Sequence, residues 1–299
     1  MRWWISIGAV LAAGVIAASH VAGAPGALRQ FAQRQNQPEA NVDVELVLAV
    51  DVSYSMDIDE LAIQREGYAQ AIVSKDFLQA LKTGPTGKIA VTYFEWASST
   101  DQKIIVPWRL IDGPESADAV AAKILKAPIR RASRTSISGA INYAMSLLGS
   151  DDFHGLRRVI DISGDGPNNN GEPVTIARDA ALAKGVIING LPIMARESVN
   201  LMMDIENLDL YYEDCVIGGP GAFVVPIKSR EKFREAIRTK LVLEVAGLQP
   251  SQFEPRVIPV AGNAEGDTDG DADNRTATGK QPRVHCLSGE KIWQDRWGR

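Results

Sequence analysis

From Val44 to Val50 the chain runs through branched and small apolar residues, broken only by Glu45, and it ends in Asp51-Val52-Ser53-Tyr54-Ser55. A short continuous apolar stretch suits a strand buried on both faces, as in a parallel sheet. Open α/β sheets bind their ligands at the carboxyl ends of such strands. An acid and two hydroxyls therefore stand at alternate positions where a ligand is expected. If the chain stays extended, residues i, i+2 and i+4 point the same way, and Asp51, Ser53 and Ser55 aim their oxygens at one point. Converging hard oxygens suit a hard divalent cation, Mg2+ ahead of Zn2+.

The rest of the chain supports a doubly wound, mostly parallel α/β sheet flanked by helices. Strands are expected at 43–51, 88–96, 103–110, 157–163, 185–191 and 222–227. Helices are expected at 58–81, 115–126, 137–148, 173–184 and 229–245, so strands and helices alternate. Only Ala97-Ser98-Ser99-Thr100-Asp101 separates the second and third strands. That short link predicts a hairpin, hence one antiparallel edge strand. Residues 192–221 are the least regular, with a short helix around Asn207–Cys215; they read either as a packed connector or as a segment that shapes ligand choice.

Two further segments carry suitable side chains. Arg134-Thr135-Ser136-Ile137-Ser138-Gly139 opens a helix, and Arg158-Val159-Ile160-Asp161-Ile162-Ser163-Gly164-Asp165-Gly166 is an apolar strand ending in a carboxylate and a glycine turn. Together with D-x-S-x-S, these make the chain resemble a von Willebrand factor type A domain over about residues 41–247. The stretches VLAVDVSYSMD, RTSISGAI, DISGDGPNNNG and YYEDCVIGGPGAFV are similar to a bacterial exported family with this domain and no assigned function.

The resemblance implies a metal-ion-dependent adhesion site, abbreviated MIDAS. Ser53 and Ser55 would bind Mg2+ directly, with Mn2+ or Ca2+ as substitutes. Asp51 would act mainly through water, Thr135 directly or through water, and Asp165 through water. An ion so held keeps much of its charge and accepts an Asp or Glu of a protein partner. Gly164 departs from the common pattern, which places the aspartate directly after a threonine, and Asp161 is the fallback ligand. Each side chain also has a plainer role: Asp51, Ser53 or Ser55 capping the following helix, Thr135 capping the helix after it, Asp165 filling a turn. Asn168 to Asn170 are candidates for the mouth of the site.

The ends of the chain add a compartment. Met1-Arg2 precedes an uncharged apolar stretch, Trp3 to Ala18, followed by small residues to Ala27, the layout of a cleaved secretory signal. With residues 1–27 removed, no membrane span is expected, and the protein is read as periplasmic or secreted. Residues 28–42 are Gln-rich and read as a linker, residues 43–247 as the domain, and 248–299 as a largely disordered tail. Within that tail Glu265, Asp267, Asp269, Asp271 and Asp273 imitate a calcium loop, but Thr276 stands where the bidentate glutamate belongs, so a solvated acidic segment is expected. Cys215 and Cys286 suit an oxidising compartment; they either pair or stand as a buried thiol and an unrelated tail thiol.

Function classes narrow accordingly. The net charge of −5 lacks the basic face that nucleic acid requires. A metal-dependent phosphohydrolase is the enzymatic alternative, but its second aspartate would fall where Ser53 stands. No phosphate loop of the G-x-x-x-x-G-K-[ST] type occurs. An envelope protein with a vestigial site is a third reading. The favoured one is a non-enzymatic, cation-dependent protein-binding module.

Overall fold

The computed structural model describes residues 40–195, 205–247, 258–259 and 274–297. The expected signal segment 1–27, nearly all of the linker and the acidic stretch Glu265–Asp273 lie outside these residues. Among the described residues no helix is long and apolar enough to cross a membrane.

The strands are β1 (Ala40–Asp51), β2 (Ile89–Trp96), β3 (Gln102–Ile111), β4 (Phe153–Gly164), β5 (Ile187–Pro192), β6 (Phe223–Val224) and β7 (Ile258–Pro259). They form one sheet in the order β3-β2-β1-β4-β5-β6-β7. The apolar run is its centre: β1 pairs in parallel with both β2 and β4, setting Asp51 beside Trp96 and Val50 beside Ser163. The expected antiparallel edge is β3. A two-residue antiparallel pairing of β7 with β6 finishes the opposite edge.

The helices are α1 (Ile58–Ile72), α2 (Lys75–Leu81), α3 (Pro114–Lys126), α4 (Ile137–Leu148), α5 (Val174–Leu182), α6 (Leu208–Tyr211), α7 (Phe233–Ala246) and α8 (Ser288–Trp297). Alternation along β1 feeds two cores. Val44, Leu46, Leu48 and Val50 pack with Tyr68, Phe77 and Ile237 on one face, while Val47 and Ala49 pack with Ile141, Ile162 and Tyr212 on the other. Helices thus cover both faces, as a parallel sheet demands. The single helix expected at 58–81 is two. Ser74 accepts from the Phe77 amide (3.2 Å) and donates to the Ala71 carbonyl (2.8 Å), so its hydroxyl starts a new helix where the first ends.

One polar cluster interrupts the core. Lys240 on α7 lies 2.8 Å from Asp161 and 2.6 Å from Glu244, and all three are buried. Asn189 donates to Glu244 at 2.8 Å. Burial, opposed by Lys240 and reinforced by Glu244, pushes the Asp161 carboxyl up to about 6 from 3.8. Since the folded value is the higher one, this residue's contribution to stability is complete below pH ~3.8 and is lost as pH rises through about 6. Urea unfolding between pH 4 and 7 is expected to show wild-type stability falling relative to Asp161→Asn, with a limiting slope of ~1.4 kcal/mol per pH unit. Parallel curves would refute it.

Within the C-terminal tail, residues 274–297 are described, and they pack on the domain. Arg178, fully buried on α5, donates to the carbonyls of Asp214 (3.0 Å), Cys215 (3.1 Å) and Arg275 (2.9 Å). Cys215 and Cys286 are joined as a disulfide. Arg283 grips Asp214 (2.7 Å) and Glu213 (2.5 Å), which hold its guanidinium above the ordinary arginine value. Residues 274–297 therefore return to the domain. A buried arginine, a covalent bridge and an ion-pair cluster hold them there.

Candidate functional site

Three loops meet at the carboxyl end of the central strands. The first follows β1. Asp51 is fully buried and its Oδ1 accepts from the Ser53 amide at 2.7 Å. Ser53 continues as an extended bridge beside Ala132, with Tyr54 N–H on the Ala132 carbonyl (2.9 Å) and Ala132 N–H on Val52 (3.0 Å). The chain then turns, with Met56 N–H on the Ser53 carbonyl at 3.1 Å. The extended geometry expected through Ser55 is thereby corrected. Side chains two apart on a strand stand ~7 Å from each other, whereas the turn brings Ser53 Oγ and Ser55 Oγ to 2.7 Å.

These groups do not cap the next helix. Asp57 caps α1 instead, in a reciprocal box with Glu60 (2.7 and 2.9 Å). The carboxylate of the third loop joins the serines directly. Ser55 donates to Asp165 Oδ1 at 2.6 Å, and Ser53 Oγ lies 3.5 Å from the same oxygen. A hydroxyl that donates its proton to a carboxylate keeps its lone pairs for another electrophile.

The second loop is tied to the third through asparagines. Asn169 Oδ1 accepts from the Thr135 amide (2.9 Å) and Asn169 N–H returns to the Thr135 carbonyl (2.8 Å). Asn168 Oδ1 accepts from the Ser138 amide (3.0 Å) and hydroxyl (3.2 Å). Asn170 accepts from the Ser99 amide (2.8 Å) and, through its carbonyl, from the Ser136 hydroxyl (2.7 Å). Asn168 and Asn169 are buried rather than lining a mouth; they brace one loop on the other. Helix α4 is capped by Ser136, whose Oγ accepts from Gly139 at 3.1 Å, so Thr135 is not the cap. The loop before Thr135 is pinned by Arg65, which reaches Glu95 and the Ala127 carbonyl, and by Arg130 on Glu95 (3.1 Å) and Asp101 (2.8 Å).

The structure thus joins Asp51, Ser53, Ser55 and Asp165 by direct hydrogen bonds, while Thr135 is bonded to Asn169, four residues beyond Asp165 on the same loop. Asp161, the fallback ligand, is instead taken by Lys240 inside the sheet. Gly164 has a physical reason for being glycine. A Cβ there would stand 2.8 Å from the Tyr212 hydroxyl and 2.9 Å from Asp51 Oδ2. Tyr212 comes from the π-helical turn Tyr212–Val216 in the irregular insert, so that insert is a packed connector that also floors the site. Burial, with the charge of Asp51, drives the Tyr212 hydroxyl well above its ordinary value, so it stays protonated. Tyr211 is placed similarly and accepts from the Asn168 amide at 3.1 Å. Neither tyrosine was legible from periodicity. Gly164→Ala is expected to cost about 1–3 kcal/mol by overpacking, measured by urea unfolding; a loss below ~0.5 kcal/mol would refute the close packing.

The donors present are hydroxyl and carboxylate oxygens. Among the described residues no group of three or more His, Cys, Asp or Glu is arranged to hold a metal. The mixed oxygen set of Ser53, Ser55 and Asp165 has the donor chemistry that a hard cation takes.

A parallel sheet covered on both faces, with this loop cluster at its carboxyl edge, defines a von Willebrand factor type A-like fold. Residues 41–249 match the family described as "Protein of unknown function (DUF1194)", and the chain belongs to that family. Among solved structures it is similar to proximal thread matrix protein 1 from the mussel byssus, with a TM-score of 0.51 and 13% identity over 69% of this chain and 49% of that one. The structure of that mussel protein with a zinc-occupied MIDAS motif gives a TM-score of 0.51 and 14% identity, covering 69% and 48%. The chain spans about half the length of these structures. At such identities the likeness speaks for the fold alone. No curated protein matches the sequence.

Proposed function

We propose that this chain is an exported, divalent-cation-dependent protein-binding module. One observation carries the reading: hydroxyl and carboxylate oxygens from loops 110 residues apart are drawn into a single hydrogen-bonded cluster. Ser53 and Ser55 would hold the ion, Thr135 would complete its oxygen set, and Asp51 and Asp165 would orient the hydroxyls as acceptors. When bound, Mg2+ supplies a positively charged coordination position that a partner's Asp or Glu can occupy. Keeping the carboxylates as acceptors of the serine protons leaves that charge incompletely neutralised, which favours capture of an acidic group.

A mussel protein of the same fold carries zinc in its own MIDAS motif, which supports divalent-ion use without fixing the ion. At the cluster the Ser53 amide donates to Asp51 and the Ser55 hydroxyl to Asp165, and His154 sits at the far end of β4 against Asn41. That arrangement suits capture better than a phosphohydrolase. The Cys215–Cys286 bridge, with the apolar N-terminal stretch, supports a periplasmic or secreted location.

The test is retention of envelope proteins by the immobilised chain. Retention in Mg2+, release by chelator and loss in Ser55→Ala are expected. Retention indifferent to cation and to the substitution would overturn the reading.

A further inference from the structure

Helix α8 lies against both loops that face the β1 loop, although it is more than a hundred residues further along the chain. Two of its contacts reach Asn168. The Asn168 side-chain nitrogen, Nδ2, donates to Glu290 Oε1 at 2.7 Å and to the Glu172 carbonyl at 3.0 Å. Gly289 is buried directly on the Asn168 backbone, where a Cβ would stand only 2.0 Å from the carbonyl oxygen. Asn168 precedes Asn169, whose side chain and amide hold Thr135, and it follows Asp165 by three residues.

The third contact reaches the other loop. The Arg134 guanidinium lies over the Trp293 ring, 3.1 Å from its centroid. Arg134 has φ of 76°, the sole non-glycine residue with positive φ among the described residues. That backbone state is sparsely populated for a residue with a Cβ and persists only where surroundings hold it. It stands immediately before Thr135. Stacking on Trp293 is one such hold.

The helix has little of its own to keep it there. It is ten residues long, and short isolated helices are marginal in water. Its attachment comes from upstream: the Cys215–Cys286 bridge two residues before Ser288, Arg283 on Asp214 and Glu213, and Asn274 Oδ1 accepting from the Cys286 amide at 2.8 Å.

We propose that Asn274–Trp297 is a disulfide-anchored strap that positions the cation site. Gly289 and Glu290 fix Asn168, Trp293 fixes Arg134, and the pair sets the loops of Asp165 and Thr135 before an ion arrives. Gly289, Glu290 and Trp293 are positioning residues acting through Asn168 and Arg134. Because the strap is tethered by a disulfide, its hold on the site is also redox-dependent. The proposal rests on the cation reading above.

Mg2+ or Mn2+ titration of the full chain by calorimetry tests it, alongside melting in chelator. Gly289→Ala and Glu290→Ala are expected to weaken cation affinity about tenfold, the low end for residues that orient ligands from behind. Glu290→Ala should melt in chelator close to wild type, while Gly289→Ala, whose Cβ meets the Asn168 backbone, is expected to melt lower and is compared with its own chelator baseline. Glu290→Gln keeps an acceptor for Asn168 and should restore affinity to within about twofold of wild type. Cys215→Ser/Cys286→Ser, or reduction of wild type, should weaken affinity by a similar factor. Wild-type binding with unchanged affinity in all of these would overturn the strap and leave the cation reading standing. Losses that merely track lowered melting, without rescue by Glu290→Gln, would also overturn it. Absence of binding in wild type would overturn both.

Discussion

Mg2+ at about a hundred times its dissociation constant is expected to raise the melting temperature of the wild-type domain by roughly 5–10 °C. A ligand that binds only the folded state at that ratio contributes ~2.7 kcal/mol, and a domain of this size gains about 2–4 °C per kcal/mol. In Ser53→Ala or Asp165→Ala the shift should vanish. Ser53 loses a direct oxygen, and Asp165 loses the acceptor that takes the Ser55 proton at 2.6 Å. Each variant is compared with itself in chelator, which separates the ion's contribution from the basal cost of the substitution. Equal shifts in wild type and both variants would place the ion elsewhere.

Lys240→Ala is expected to destabilise the fold by about 3–5 kcal/mol, the usual consequence of removing one partner from a buried charge cluster. It strands Asp161 and Glu244, both buried, in a core from which the ammonium 2.8 and 2.6 Å away has gone. Hydrophobic replacement of the whole cluster is a different matter, because no uncompensated charge remains. Lys240→Met combined with Asp161→Asn strands only Glu244 instead of two carboxylates, so it should cost less than the sum of the single changes, a coupling that a double-mutant cycle in urea measures. Strict additivity would mean that the three side chains do not act as a unit.

Much of this architecture was legible because the informative strands are buried on both faces and so read as unbroken apolar runs. β1 and the end of β4 carried the signal, and the five-residue link after β2 carried the hairpin. The oxygen donors were legible as residue types at strand ends, but the way they meet was not. Ser55 reaches Ser53 through a turn at Tyr54 rather than through strand alternation, and a hydrogen bond such as Met56 to Ser53 leaves no periodic trace. Ser74 was equally silent, since a capping serine inside a helical pattern resembles an exposed helical serine.

Other features were hidden because their side chains act against type. A lysine on α7 reads as a solvent face, yet Lys240 is fully buried and captures the carboxylate named as the fallback ligand. Tyr211 and Tyr212 lie in a segment with no regular period, so nothing marked them as the floor of the site. The C-terminal residues were read from composition, where acidic and glycine-rich content dominates. The cysteine and tryptophan among them were the signal of a docked segment, and only partners far away in sequence gave those residues meaning.

Crystals grown with Mn2+ test the central claim most directly, through the anomalous signal of the ion. The account predicts one peak at bonding distance from Ser53 Oγ and Ser55 Oγ, with Thr135, Asp51 and Asp165 around it and the peak absent in Ser53→Ala. A fully loaded crystal with no peak between those loops, or with Mn2+ bound elsewhere on the chain, would contradict it.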